Sequence, residues 1–292
     1  LLSNREKAVI IDVLKARYSL PLLLEKMQLS KSSYYYQENS LKKKNKYELI
    51  RCRIIALFKE NKERYGYRRI HALLKRENVI ISEKIVRRIM KEEQLLVKIK
   101  KTRKYNSYQG EISPAVDNIV NRDFSAMKPN EKWLTDITEF AIPAGKIYLS
   151  PIVDCFDGLI VTWNIGTSPD AALVNTMLDN AIHTLKSGEK PIVHSDRGVH
   201  YRWPGWINLM ECNGLIRSMS MKGCSPDNSA CEGFFGRLKN EMFYNTDWNG
   251  VSIPEFINTL NNYIDWYNEK RIKKTLGYMS PMEYRRRLGL AV

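Results

Sequence analysis

The spacing of apolar residues changes near Trp133, and this change limits what the chain can fold into. Upstream, apolar residues recur at helical intervals in short stretches, as in the run from Tyr47 to Asn61. Downstream, strand-like patterns begin, and turn residues such as Asp157-Gly158 separate them. The sequence therefore predicts an all-α region followed by a domain that contains a β-sheet.

The order of elements in the second region indicates its fold. Three strand-like runs occupy 133–142, 147–156 and 159–165. They are followed by alternating helix and strand patterns: 171–185 helical, 191–193 extended, 206–212 helical, 215–219 extended and 229–243 helical. The order βββ-α-β-α-β-α is that of an α/β, RNase H-like fold, in which three antiparallel strands lead into parallel strands flanked by helices.

The positive charge of the chain is confined to its first part. Residues 1–125 hold 29 basic and 14 acidic residues, whereas the remainder holds 18 of each. A basic module of this kind most often binds nucleic acid, because neutralising phosphates releases counterions and so favours binding. An anionic membrane surface and an inert solvated surface are the alternatives.

Several classes of protein are disfavoured. No apolar run approaches the roughly 18 residues of a membrane span, and charged residues interrupt the first 27 positions, unlike a signal peptide. Five cysteines without a CxxC pair disfavour both a disulfide framework and a zinc finger, and they fit a reducing cytosol. The first residue is Leu, which fits a fragment of a longer product as well as a trimmed chain.

We expect two basic helical segments. Residues 1–40 read as three short helices and a candidate helix-turn-helix that directs Lys31, Ser32 and Tyr34 towards DNA, with a small bundle packed by tyrosines as the alternative. Residues 41–104 read as a second region of helix-turn-helix type. Its candidate recognition helix starts after Ser82 and presents four cations for phosphate or groove contact, unless they form a merely solvated face: Lys84, Arg87, Arg88 and Lys91. Residues 105–125 read as a linker, and 126–292 as the α/β core with a C-terminal helical extension.

Three carboxylates are candidates for catalysis. Asp136 lies within a predicted strand, where aspartate is disfavoured. Asp196 follows a later strand, and Glu232 lies in the first turn of a helix. In the expected fold the two strands are neighbours and the helix covers them, so the carboxylates converge. Their repulsion favours cation binding, and oxygen ligands select Mg²⁺ or Mn²⁺, with two ions suited to phosphoryl transfer.

Two further polar residues share a face of the same helix. Asn228 and Lys239 are spaced by four and seven residues from Glu232, so they can position DNA beside the ions, unless they belong to an ordinary surface face. Asp154 and Asp157 are the nearest rival carboxylates. Asp157 reads as a turn residue before Gly158, and Asp154 as a residue that supports the site.

These motifs resemble the second-reading-frame (OrfB) product of insertion sequence 3 family transposases, relatives of retroviral integrases. Thirty-five residues separate Asp196 from Glu232, as in the family's Asp-Asp-Glu triad. The resemblance extends over nearly the whole chain through the following motifs: Trp133–Thr138, His194–Gly198, Asp227–Phe235, Tyr65–Ile70, Val86–Met90, and a C-terminal signature of Tyr267-Asn268, Arg271, Leu276–Tyr278 and Ser280-Pro281.

The resemblance implies a DNA transposase that cleaves and joins DNA strands with a divalent metal. It makes Asp136, Asp196 and Glu232 the catalytic and metal-holding residues, and it adds Arg68, Arg69 and Arg271 to the expected DNA contacts. It further implies double-stranded DNA partners (terminal inverted repeats and target), a homo-oligomer on DNA, an upstream reading-frame product (OrfA) fused or in trans, and action in the bacterial cytoplasm at the nucleoid. The sequence departs from the family at His200 and Lys273, where Gln and His are usual.

Two alternatives from other classes stay open. A non-catalytic regulator of transposition would use only the basic region, and a metal-dependent nuclease would cleave DNA without strand transfer. The residues do not separate hydrolysis from transfer, because both reactions use the same ions and differ only in the nucleophile.

Overall fold

A computed structural model of the chain describes residues 2–42, 47–97, 116–221 and 225–290. It divides into two compact units, residues 1–96 and 97–292. Most of the charge run at 41–46, the basic stretch at 98–104 and the first part of the predicted linker, 105–115, lie outside the described residues.

The described part of the first unit is helical, as predicted. Its helices are α1 (Asn4–Leu14), α2 (Leu20–Lys26), α3 (Lys31–Lys42), α4 (Glu48–Glu60), α5 (Tyr67–Arg76) and α6 (Glu83–Glu92). A capping box between Ser3 and Glu6 starts α1, because each side chain bonds the other's backbone N–H. The N-terminal helices α1 to α3 surround a small apolar core: Ala8, Ile11, Leu23, Leu29 and Tyr34.

One expectation for α3 is wrong. The helix-turn-helix interpretation directs Tyr34 towards DNA, but its ring is buried and its hydroxyl donates to Asp12 at 2.7 Å, as the alternative of a bundle packed by tyrosines predicts for this residue. The helical period places Tyr34 on the packed side of α3, and Lys31 and Ser32 are exposed.

The helices α4 to α6 form a second apolar cluster and a helix-turn-helix arrangement. Their buried residues are Ile54, Leu57, Phe58, Ile70, Leu74, Val86, Ile89 and Met90. Arg51 of α4 bonds Glu92 and Glu93 at the end of α6, and so ties these two helices together.

The second unit contains a mixed sheet. Its strands are β1 (Lys132–Thr135), β2 (Thr138–Ile142), β3 (Gly145–Asp154), β4 (Ile160–Gly166), β5 (Ile192–Ser195) and β6 (Ile216–Met219). They run in the order β2-β3-β1-β5-β6, with β4 also paired to β3. The pairs of β3 are antiparallel, whereas β1–β5 and β5–β6 are parallel. The predicted α/β order and the lead from antiparallel into parallel strands are confirmed.

The first predicted strand, 133–142, is interrupted. It divides into β1 and β2, and Asp136 and Ile137 lie in the break. The Ile137 N–H donates to the Asp136 carboxylate at 2.7 Å instead of joining the ladder. The register places Pro151, which has no N–H, opposite Asp136. The expectation that Asp136 lies inside a strand is therefore wrong, and it ends β1 instead.

Helices pack on both faces of the sheet. They are α7 (Ala171–Ile182), α8 (Pro204–Cys212), α9 (Ser229–Leu238), α10 (Ile253–Glu269) and α11 (Pro281–Arg287). Alternation along β1 sends Trp133 into the core with α7 and α8, and Leu134 into the core with α9 and α10.

The last described part of the predicted linker, 116–125, packs on this unit. Val120 is buried, and the N–H groups of Ile119 and Val120 donate to the Ser218 hydroxyl at 2.9 and 3.3 Å. These residues therefore belong to the same body as the sheet.

A buried ion cluster fixes α11 to the far end of β3. Arg285 donates to Asp154 and Asp157, with each shortest distance 2.7 Å. Asp154 therefore belongs to this cluster, and its side-chain hydrogen bonds go to Arg285 and to the N–H groups of Asn130 and Phe156 instead of to the three candidate acids. Asp157 also accepts the Leu159 N–H, as expected of a turn residue.

No helix in the described part of the chain is long and apolar enough to cross a membrane.

We expect Arg285→Met to lower the free energy of unfolding by about 3–5 kcal/mol, because two buried carboxylates lose their cation. The matched control is Arg286→Met on the same helix, whose exposed pair with Glu269 contributes at most about 1 kcal/mol. Urea titrations of both variants measure the difference, and equal losses would contradict the role of the cluster.

Candidate active site

Asp136 lies at the carboxyl end of β1, in the break before β2. Its half-buried carboxylate accepts hydrogen bonds from the Ile137 N–H at 2.7 Å and from Asn228 Nδ2 at 3.2 Å. In a regular ladder the Ile137 N–H would bond to the neighbouring strand. The break instead allows it to bond the Asp136 carboxylate.

Asp196 follows the end of β5, the parallel neighbour of β1. Trp133 pairs with Val193, so both acids emerge at the same end of the sheet. The Gly198 N–H donates to Asp196 at 2.8 Å and orients the side chain. A side chain at position 198 would meet this carboxylate, since an added Cβ would stand 2.8 Å from its oxygen.

Glu232 lies in the first turn of α9 and is exposed. The three carboxylates interact electrostatically: burial raises the pKa of Asp136 well above its usual value, and Asp196 and Glu232 raise it further. Burial likewise raises the pKa of Asp196. The fold thus gathers the three predicted acids around one end of the sheet.

The chemistry of these donors fits a hard divalent cation. Carboxylate oxygens that repel each other are what Mg²⁺ or Mn²⁺ neutralises, and the buried Asn228 Oδ1 has no partner among the described residues. In the described ranges, no three or more His, Cys, Asp or Glu side chains already stand close enough to hold an ion. The three acids therefore interact without closing into a preformed metal cage.

Asn228 was expected to contact DNA, but this is wrong for the described arrangement. Its side chain is only 4% exposed and donates to Asp136. The sequence identified the residue because of its helical spacing from Glu232, but spacing does not reveal that the preceding turn folds it inward.

Lys239 brings a cation to the same region. Its ammonium lies 5.3 Å from the centre of the Phe140 ring, and burial lowers the pKa of the amine, against the opposing effects of Glu139 and Asp136. The helix changes at this residue: α9 ends at Leu238, and Lys239–Phe243 form a π-helical turn where a continuous helix was predicted.

His194 is buried within a hydrogen-bond network that sequence reasoning did not assign. Its Nε2 donates to the Asp227 carbonyl at 2.9 Å, so its Nδ1 accepts from the Ser218 hydroxyl, also at 2.9 Å. These bonds make it a buried histidine whose two ring nitrogens are both satisfied.

The remaining predicted DNA contacts divide into exposed and packed groups. The four cations of α6 (Lys84, Arg87, Arg88 and Lys91) are all exposed. Arg68 is exposed as well, and its guanidinium and that of Arg87 both lie near the Tyr67 ring, at 5.4 and 5.5 Å from its centre. Arg69 instead lies over the buried Tyr65 ring at 5.1 Å.

The expected DNA contact at Arg271 is wrong. Its side chain is 3% exposed and binds both oxygens of Glu241. Lys273, a departure from the family, is bound in the interior too, where it donates to the carbonyls of Asp157 and Gly158. Arg271 and Lys273 therefore hold the segment after α10 to the rest of the second unit.

We expect the raised pKa of Asp136, caused by burial and by the neighbouring acids, to appear in the stability of the chain. Because the pKa of Asp136 is raised in the folded chain, the folded state keeps a proton that the unfolded state releases above about pH 4. The free energy of unfolding of the metal-free wild type should therefore fall, relative to that of Asp136→Asn, as the pH rises through the carboxyl range. Urea titrations in a chelator measure this difference. The exposed Asp265→Asn is the control, and a pH-independent difference for Asp136→Asn would contradict the raised pKa.

Family models match three stretches of the chain. Residues 44–103 match an HTH-like domain, and residues 126–225 and 232–288 match two models of an integrase core domain. The first stretch coincides with the second predicted helix-turn-helix region, and the other two contain all three acids.

Curated relatives carry transposase names. A protein named "Probable transposase for insertion sequence element IS1353" from Shigella flexneri is 53% identical over 99% of this chain, which spans 56% of that protein. The "Putative transposase InsK for insertion sequence element IS150" from Escherichia coli K12 is 38% identical over 94% of this chain and 96% of its own length. The InsF transposase of IS3A from the same strain is 32% identical over 64% of this chain and 65% of its own length.

The family expected from the motifs is confirmed by these matches. The chain belongs to the insertion-sequence transposases that carry an HTH-like domain and an integrase core domain.

Proposed function

We propose that this chain is the DNA transposase of a bacterial insertion sequence. It binds the ends of the element, cleaves DNA there, and joins the freed 3′-OH groups to target DNA. The observation that carries the proposal is the convergence of Asp136, Asp196 and Glu232 at one end of the sheet, in a chain whose other unit is basic and of helix-turn-helix type.

Both chemical steps are displacements at phosphorus. In the first, a water oxygen attacks the phosphodiester at the end of the element, and the P–O3′ bond breaks to leave a 3′-OH. In the second, that 3′-OH attacks a target phosphodiester, forms a new P–O bond and releases a target 3′-OH. Each step transfers one phosphoryl group and needs no oxidant or reductant.

The three acids would hold two Mg²⁺ or Mn²⁺ ions, which fits their donor type and mutual repulsion. Bound there, such ions make the attacking oxygen more acidic and neutralise charge on the leaving oxygen. Lys239 would hold a DNA phosphate next to the acids, because its ammonium lies at the same end of the sheet and is attracted to Asp136.

The first unit would grip the DNA. The exposed cations of α6 would contact the terminal repeat, with Arg68 on the preceding helix, and α1 to α3 would supply a second DNA-binding module through exposed residues such as Lys31. We further propose a homo-oligomer on DNA, cooperation with an upstream reading-frame product, and action on the nucleoid in the bacterial cytoplasm.

Strand joining tests the function. We expect the wild-type chain with Mg²⁺ or Mn²⁺ to convert a labelled duplex ending in a free 3′-OH, taken from the DNA that borders the gene, into longer joined products. Glu232→Gln keeps the shape but removes the charge, so joining should fall at least about 100-fold, a loss of roughly 3 kcal/mol of transition-state stabilisation. The control is Glu211→Gln, an exposed carboxylate on α8.

The products distinguish the alternatives. Metal-dependent cleavage without longer products, even with the upstream product supplied in trans, would make the chain a nuclease. DNA binding with neither product under the same conditions would make it a regulator. Either result would contradict the proposed transposase.

Binding by α6 has a separate signature. Arg87→Ala should weaken binding to the end duplex and reduce the slope of log K against log salt by about 0.9, because one phosphate contact is lost. Lys59→Ala removes an exposed cation from α4 and serves as the control. An unchanged slope for Arg87→Ala, measured by fluorescence anisotropy, would contradict phosphate contact at that position.

A further inference from the structure

The turn before α9 is clamped to the segment 116–122. The Asp227 carboxylate is fully buried and accepts three hydrogen bonds: from Arg122 Nε at 2.7 Å, from Asn118 Nδ2 at 3.0 Å and from the Met221 N–H at 2.9 Å. Arg122 and Asn118 lie before the sheet begins, so residues from the end of the predicted linker fix the turn that leads into the catalytic helix.

The backbone of the same residue is held from the other side. The Asp227 carbonyl accepts from His194 Nε2, and His194 is in turn bonded to Ser218. Ser218 accepts the N–H groups of Ile119 and Val120, so these bonds return to the segment 116–122. Both the side chain and the carbonyl of Asp227 are therefore anchored, which leaves the next residue little freedom.

That next residue, Asn228, makes an unusual bond. It occupies the N-cap position of α9, where asparagine ordinarily bonds a free helix N–H, but its side chain makes no capping bond. Its amide instead donates to Oδ2 of Asp136, the residue that follows β1, at 3.2 Å. A local preference given up without a local gain is typical of a functional position.

We propose that Asn228 is a positioning residue for phosphoryl transfer: it holds the carboxylate of Asp136 in one orientation, and Asp227 with Arg122 and Asn118 fixes Asn228 in place. The inference rests on the proposed function and deepens it. It replaces the DNA contact expected from the sequence, because a side chain 96% buried and bonded to an acid of the site is not free to reach a phosphate.

Kinetics separate positioning from DNA contact. We expect Asn228→Ala to lower the maximal rate of strand joining by about 10- to 100-fold, the usual cost of losing a residue that orients a metal ligand. The concentration of end duplex at half-maximal rate should stay within about twofold of wild type. Asn228→Gln retains the amide and should recover part of the rate, and Asn258→Ala, an exposed asparagine on α10, should match the wild type.

A substitution of Asp227 tests the hydrogen bonds that fix the turn before α9. Asp227→Asn keeps the shape but removes the charge that Arg122 meets, so it should reproduce the loss of maximal rate with the half-maximal DNA concentration again unchanged. A raised half-maximal concentration with an unchanged maximal rate for Asn228→Ala would assign the residue to DNA binding and overturn the inference. A wild-type rate for that variant would overturn it as well.

A second measurement does not depend on activity. In the metal-free protein, Asn228→Ala should shift the urea midpoint less in an Asp136→Ala background than in the wild type, because the partner of the amide is already gone. Equal shifts in the two backgrounds would overturn the inference even if strand joining is observed. Coupling in a protein that joins no DNA would support the bond by which Asn228 orients Asp136, and it would count against the proposed function and the role in phosphoryl transfer.

Discussion

Parallel pairing of β1 with β5 is the constraint on which the rest of the site depends. It places the carboxyl ends of two strands that are distant in sequence side by side at one end of the sheet. Asp136 follows the first of these strands and Asp196 the second. Parallel strands need a long crossover, and here that connection contains β2 to β4 and α7. The cost of bringing the acids together is the desolvation and repulsion that raise the pKa of Asp136.

Buried ion pairs that do not include the three acids stabilise the elements around them. Arg285 joins α11 to the end of β3, and Arg271 joins the segment after α10 to Glu241 in the π turn. Both pairs are nearly inaccessible to water, so removing one partner would leave an uncompensated charge. The C-terminal helices therefore act as part of the core, although the family resemblance includes Arg271 among the expected DNA contacts.

Sequence reasoning predicted the order of elements, the helical N-terminal unit and the convergence of Asp136, Asp196 and Glu232 at one end of the sheet, because each depends on local periodicity or on the order of elements. It failed where a tertiary partner decides the outcome. Arg271 and Asn228 look like surface contacts in the sequence, and only the positions of Glu241 and Asp136 reveal that both are directed inward. The break in the first strand coincides with a local bond, from the Ile137 N–H to the Asp136 carboxylate, and with Pro151 opposite Asp136 on the neighbouring strand. The low strand propensity of aspartate is a local signal of the break, whereas the position of Pro151 is not.

The π turn at Lys239–Phe243 gives α9 two registers. Up to Leu238 the helix keeps its α period, so Glu232 and Lys239, which are seven residues apart, lie on nearly the same face. Beyond that point the wider turn rotates the chain, and Glu241 reaches Arg271 and Tyr263. Such a turn holds one residue more than an α-helical turn, because its hydrogen bonds close i→i+5 rings. In an alignment of the family, chains that keep a regular helix here would show a single-residue gap between the positions of Lys239 and Glu241. Beyond that gap, the faces of their helix would be rotated relative to those of this chain.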